Sequence, residues 1–180
     1  MVRRRSPVKA LMRVKPTLAD FSATLKEFDD ASDRAAAIVG STLVETYLER
    51  AILSRLVKLD EDQEAELLSG DAPLSSFAAR IKLGYSLGLY NDETREDLDT
   101  VRDIRNAFAH APISISFKTK EVIESCQRLK TWLVFKIPER ALGDNPARSI
   151  FKHTVHHLWQ ILDWERRHAQ RPKLPSDSGS

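Results

Sequence analysis

Residues 31–58 contain no proline, and within them Ile38, Val39, Leu43, Tyr47, Ala51 and Ile52 recur at helical spacing. An apolar stripe of that length predicts one long helix, and a stripe exposed to water must be covered by other elements. The same period supplies the cover. Thr17 stands as a cap before Leu18, Phe21, Leu25 and Phe28, a short first helix. Ser75 or Ser76 caps a helix reaching Leu89, after the turn chemistry of Gly70, Asp71, Ala72 and Pro73. Asn91 caps the next helix, which closes at His110 and carries Asp92 and Glu93 at its positive end. Another helix is expected over 119–135. The chain then breaks around Pro138 and Gly143, and a last helix takes Asn145 as cap and Pro146 as first residue, ending near His168. The acidic piece 60–68 is assigned no element. Only 111–117, where Ile113 and Ile115 alternate with serines, looks extended. Helices with short connections and no strand pair give an all-α antiparallel bundle of six to seven helices.

The 180 residues suit one domain, expected over 17–170, with disordered tails at 1–16 and 171–180. A single cysteine, Cys126, excludes an internal disulfide and reads as a small core residue. The N-terminus has charge but no apolar run, so neither secretion nor a membrane role is indicated and a cytoplasmic protein is expected. Residues 1–15 hold six cations and no acid, and since the whole chain is +2, the remainder carries −4. DNA binding is doubtful on that ground, because phosphate neutralisation supplies most non-specific affinity, and no basic recognition helix follows a short turn.

Candidate functional residues gather at the end of the helix that Asn91 begins, in the run Arg105, Asn106, Ala107, Phe108, Ala109, His110. Leu98, Val101, Ile104 and Phe108 fall on one arc, and Arg105 is expected to project from inside it. A guanidinium cannot shed its proton, so in such a place it requires a carboxylate, a neighbouring chain or a bound phosphate. Asn106 and His110 share a face, whereas Arg105 is turned about 140° from His110 on an ideal helix, so convergence needs a distorted end or a second subunit. The plainer role for Asn106 and His110 is satisfying the last free carbonyls. With Arg102 one turn earlier, the candidate binding set is Arg102, Arg105 and His110. A second Arg and His at the same spacing, Arg148 and His153, is expected to be incidental.

Gly84 and Gly88 lie four apart beside Ile81, Tyr85 and Leu87; a helical glycine costs about 1 kcal/mol relative to alanine, so close packing within the chain, or else a dimer contact, is expected there. His153, His156 and His157 are read as a polar face beside Phe151, Val155, Leu158 and Leu162 rather than as zinc ligands, since no third ligand is evident. No metal or cofactor is expected. Trp132, Trp159 and Trp164 read as core or interface.

The block GDAPLSSFAARIKLGYSLGL at 70–89, followed by an acidic helix, VRDIRNAFAH and ISF, resembles the mannitol operon repressor family, which is usually grouped with the HEPN superfamily. The resemblance covers roughly residues 30–129. It implies a helical domain, commonly a homodimer, with Arg and His motifs of two subunits meeting in a cleft. The family name implies a negative regulator of carbohydrate use, working through a protein partner or RNA. Ribonucleases of the superfamily imply an alternative: metal-independent cleavage with His110 as acid or base on the ribose 2′-hydroxyl, Arg105 stabilising the phosphate charge and Asn106 orienting them. A third reading is a pure interaction module, with Arg105 paired to Asp99 or Asp103 of another chain.

Overall fold

The computed structural model describes residues 31–172, so the expected first helix, the N-terminal tail and residues 173–180 of the C-terminal tail fall outside the described residues. Ser32 opens α1 (Asp33–Arg55), its hydroxyl accepting from the Ala35 amide at 3.3 Å. The helix buries Ala36, Ala37, Val44, Leu48, Ala51 and Ile52 completely. α2 (Glu61–Leu68) and α3 (Phe77–Ser86) follow, then α4 (Asp92–His110), α5 (Lys120–Gln127) and α6 (Pro146–His168), with 3-10 turns at Thr131–Phe135 and Glu139–Leu142. Six α-helices and no strand occur among the described residues, an all-α bundle.

Ion pairs set the orientation of the two longest helices. Asp33 holds Arg148 at 2.7 Å at one end, and Arg55 holds Glu165 at the other, so α1 and α6 run in the same direction. α4 runs against α6: its Phe108 meets Phe117 at 5.1 Å, and Phe117 meets Phe151 at 5.3 Å, while its Asp97 end lies toward His157. The α4 stripe is buried as periodicity requires, with Leu98, Val101, Ile104 and Phe108 at most 3% exposed. Cys126 sits in this core, and burial pushes its thiol up to about 12, which leaves it unreactive.

Three boundaries depart from the sequence reading. The acidic piece is a helix, α2, because Asp60 and Gln63 form a reciprocal capping box, although no residue of it is buried. α3 stops at Ser86 rather than Leu89: Gly88 lies past its end with φ +69°, so it is a turn glycine and not a helical partner of Gly84. Gly84 alone is in the helix, where an added Cβ would stand 2.6 Å from the Tyr90 hydroxyl and 2.9 Å from Leu48 Cδ1, a close approach within the chain. The helix expected over 119–135 is two elements. The buried Asp97 carboxylate accepts from the Lys130 and Thr131 amides at 2.9 and 2.6 Å, starting a separate 3-10 turn there.

Candidate functional site

α4 turns Arg102, Arg105 and Asn106 toward the start of α3. Between them lies a groove of about 300 Å³, lined also by Glu45, Ser75, Ser76 and Phe77. Arg105 is half-buried at the border of the apolar arc rather than inside it, a correction to the periodicity argument. Its Nη1 donates to Asn106 Oδ1 at 3.1 Å, and its charge acts on Glu45 across the groove. Arg102 is held by its own helix, at 2.5 Å from Asp99 and 2.9 Å from Asp103. Those two acids therefore already serve a cation of the same chain.

Opposite Arg105, burial raises the Glu45 carboxyl above its ordinary range, and Arg80 and then Arg105 pull it back. Among the described residues Arg80 is the buried arginine, at 8% exposure. It donates to the Leu74 carbonyl at 2.8 Å, the Leu68 carbonyl at 3.2 Å and Glu45 at 3.1 Å, and pairs with Glu49 at 3.1 Å. Sequence reasoning missed it. The one available signal was its place between Phe77 and Gly84, on the buried side of α3 with Ile81.

His110 occupies the last turn of α4, exposed, and does not line the groove. Of the predicted residues, Arg102, Arg105 and Asn106 thus come together, His110 stands apart, and Gly84 lies elsewhere on α3. Arg148 has a structural task, since Asp33 binds it and also accepts from the Phe117 amide at 2.9 Å.

Three of the four α6 histidines gather at Phe135, with ring centroids 6.0, 6.0 and 5.2 Å away for His153, His156 and His157. Among the described residues no group of three or more His, Cys, Asp or Glu could hold a metal ion. Burial is the first cause lowering all three imidazoles below 6.5; Lys152 adds to it at His153 and His156, whereas Gln160 and Asp97 oppose it at His157. The unfolded chain then takes up these protons before the folded one does. Stability contributed by the neutral rings is complete above about pH 6.5 and is lost as the pH falls below that value. Melting temperatures across pH 5 to 8 should fall on the acid side, and His153→Gln with His156→Gln should flatten that slope.

Among the described residues no helix is long and apolar enough to cross a membrane. The chain is thus an all-α bundle that presents an open charged groove. The sequence model of the mannitol repressor family matches residues 63–160, more than half of the chain, and the chain belongs to that family. It is a regulatory protein of the mannitol-operon-repressor kind. Its fold is similar to the X-ray structure of the MtlR–HPr complex from Escherichia coli, at TM-score 0.61 and 20% identity, covering 81% of this chain and 97% of that one. No curated protein matches the chain.

Proposed function

We propose that this chain is a cytoplasmic regulator that acts by binding a protein partner, and that the partner engages the groove beneath Arg102, Arg105 and Asn106. The observation that carries this reading is the state of Arg105: half-buried in an open groove, its guanidinium makes one hydrogen bond within the described residues, to Asn106. Five N–H donors in a rigid fork leave several for an incoming carboxylate or other oxyanion. The MtlR of the similar structure is in complex with HPr, and a partner of that kind is the one adopted here.

Cleavage of RNA by this motif would need His110 and Arg105 to converge on one phosphate, and within one chain the exposed His110 lies outside the groove. Binding needs no such convergence. Titrating purified HPr into the protein by calorimetry should give saturable binding. Arg105→Ala should weaken it by about tenfold or more, as truncation of a central arginine does at protein interfaces. Arg102→Ala should weaken it less, because Asp99 and Asp103 already occupy that side chain. Absence of binding, or equal affinity for the Arg105→Ala variant, overturns the reading.

A further inference from the structure

The turn Thr131–Phe135 leaves successive apolar side chains in water: Leu133 is 56% exposed, Val134 65% and Phe135 37%. Single exposed leucines are ordinary, but contiguous apolar patches mark contact surfaces. Phe135 already rests against the α6 histidines, so Leu133 and Val134 are the pair most open to contact. The turn is also held in place. Asp97 receives the Lys130 and Thr131 amides at its start, and Trp132 Nε1 donates to the Leu129 carbonyl at 2.9 Å. A knob fixed in this way loses little freedom when it is covered.

The charge around the knob is nearly all of one sign. From residue 127 to 142 the cations Arg128, Lys130, Lys136 and Arg140, all exposed, stand with a single acid, Glu139, whereas the chain after residue 15 carries −4 as a whole. Lys130 holds Glu96 at 2.9 Å. Arg128 donates to the Ser125 hydroxyl at 3.3 Å and, like Lys136 and Arg140, makes no ion pair among the described residues. Lys136 has φ +48°, the left-handed conformation that a residue with a Cβ adopts only at a cost. Glycine would suit that backbone better, so the fold alone does not call for a lysine there.

Beside the knob lies a hollow of about 630 Å³, whose lining includes Leu129, Arg128 and Leu133 of the knob itself. Its other charged groups are engaged within the chain, Glu96 by Lys130, Asp99 by Arg102 and Arg95 by Asp92, so Arg128 is the one left open. Side chains of a polypeptide can enter a hollow of that size, whereas a flat lipid surface would touch only the knob. We propose that this face docks a segment of a partner protein in which apolar and acidic side chains are mixed. Apolar groups cover Leu133 and Val134, one acid meets Arg128 at the hollow, and another meets Lys136 beyond the turn. The Arg105 groove shares no lining residue with this hollow, so the two surfaces can be occupied separately.

Panning a random dodecapeptide phage library against the full chain should enrich sequences that combine Asp or Glu with Leu, Ile or Phe. Anisotropy of an enriched peptide carrying fluorescein should saturate. Val134→Asp and Lys136→Glu should each raise its dissociation constant about tenfold or more at unchanged helicity. Lys136→Gly is the sharper variant: it relieves the left-handed residue, so the urea midpoint should hold or rise while peptide affinity falls, a split that a purely structural role does not give. Arg105→Ala should leave the peptide bound, which separates this face from the groove proposed above. Enrichment without acids, affinity indifferent to Val134→Asp, or loss of the peptide in Arg105→Ala overturns the proposal. So does another occupant in the same place: a wild-type dimer that Val134→Asp dissociates in sedimentation velocity, or binding to phosphatidylglycerol vesicles that Val134→Asp abolishes.

Discussion

Replacing Arg80 with methionine is expected to lower unfolding free energy by about 3 kcal/mol, the scale found when one partner of a buried ion pair is removed. The cost arises from what stays behind. Glu45 would keep its burial while losing the cation that most offsets it, and the Leu68 and Leu74 carbonyls would lose their donor. The Glu49 pair adds little, since that carboxylate is 32% exposed and solvated. A second signature is local. α2 has no buried residue, and Arg80 is what ties its last turn at Leu68 to α3 and to Glu45 on α1. Amide exchange in α2 should therefore accelerate beyond the global change. Urea unfolding of Arg80→Met, with Arg80→Met/Glu45→Leu beside it, is the check: the double variant should recover part of the loss by removing the stranded carboxylate. A single-variant loss below about 1 kcal/mol would mean that the pair's desolvation had cancelled its attraction.

Arg80 also shows how far sequence reasoning reaches in this chain. The rule that an arginine among apolar residues must have partners is satisfied here, but by Arg80, while Arg105 sits at the arc's border. Periodicity placed both on helices, and an error of some tens of degrees in face assignment was enough to exchange their roles. Elements with local signals were legible: Asn91 and Asn145 cap α4 and α6 with their side chains, as their positions indicated. α2 carried a local signal too, in the Asp60 and Gln63 box, masked by the lack of any apolar face. The site was legible on one side only. Arg102, Arg105 and Asn106 are neighbours in sequence, but Glu45 and Ser76 reach the groove through the packing of α1 and α3, which no local spacing encodes. His110 shares the face of Asn106, yet it stands four residues further on, at the last residue of α4, and does not line the groove.

The split of the expected 119–135 helix has its cause in Asp97, and the second large effect is expected there. Asp97 is 1% exposed, and its carboxylate accepts the Lys130 amide with both oxygens, at 3.0 and 2.9 Å, and the Thr131 amide at 2.6 Å. Asp97→Ala strands both amides in a dry place and should cost about 3 kcal/mol, since hydrogen bonds to a buried charge are worth roughly 1.5 to 3 kcal/mol each and do not add fully. Asp97→Asn should be nearly as damaging despite its matched shape. Its amide nitrogen is a donor and would face an N–H that is also a donor. Without these bonds nothing offsets the entropy cost of ordering residues 130 and 131, so the turn that carries Leu133 and Val134 frays at its start. Hydrogen exchange at Lys130 and Thr131 reads this directly: both amides should lose protection in either variant, with α1 losing it only in step with global stability. Protection retained at Thr131 in Asp97→Ala would show that the turn is held by Trp132 and the Phe135 packing instead. The acid at 97, now explained only as an anchor, would then have no structural account.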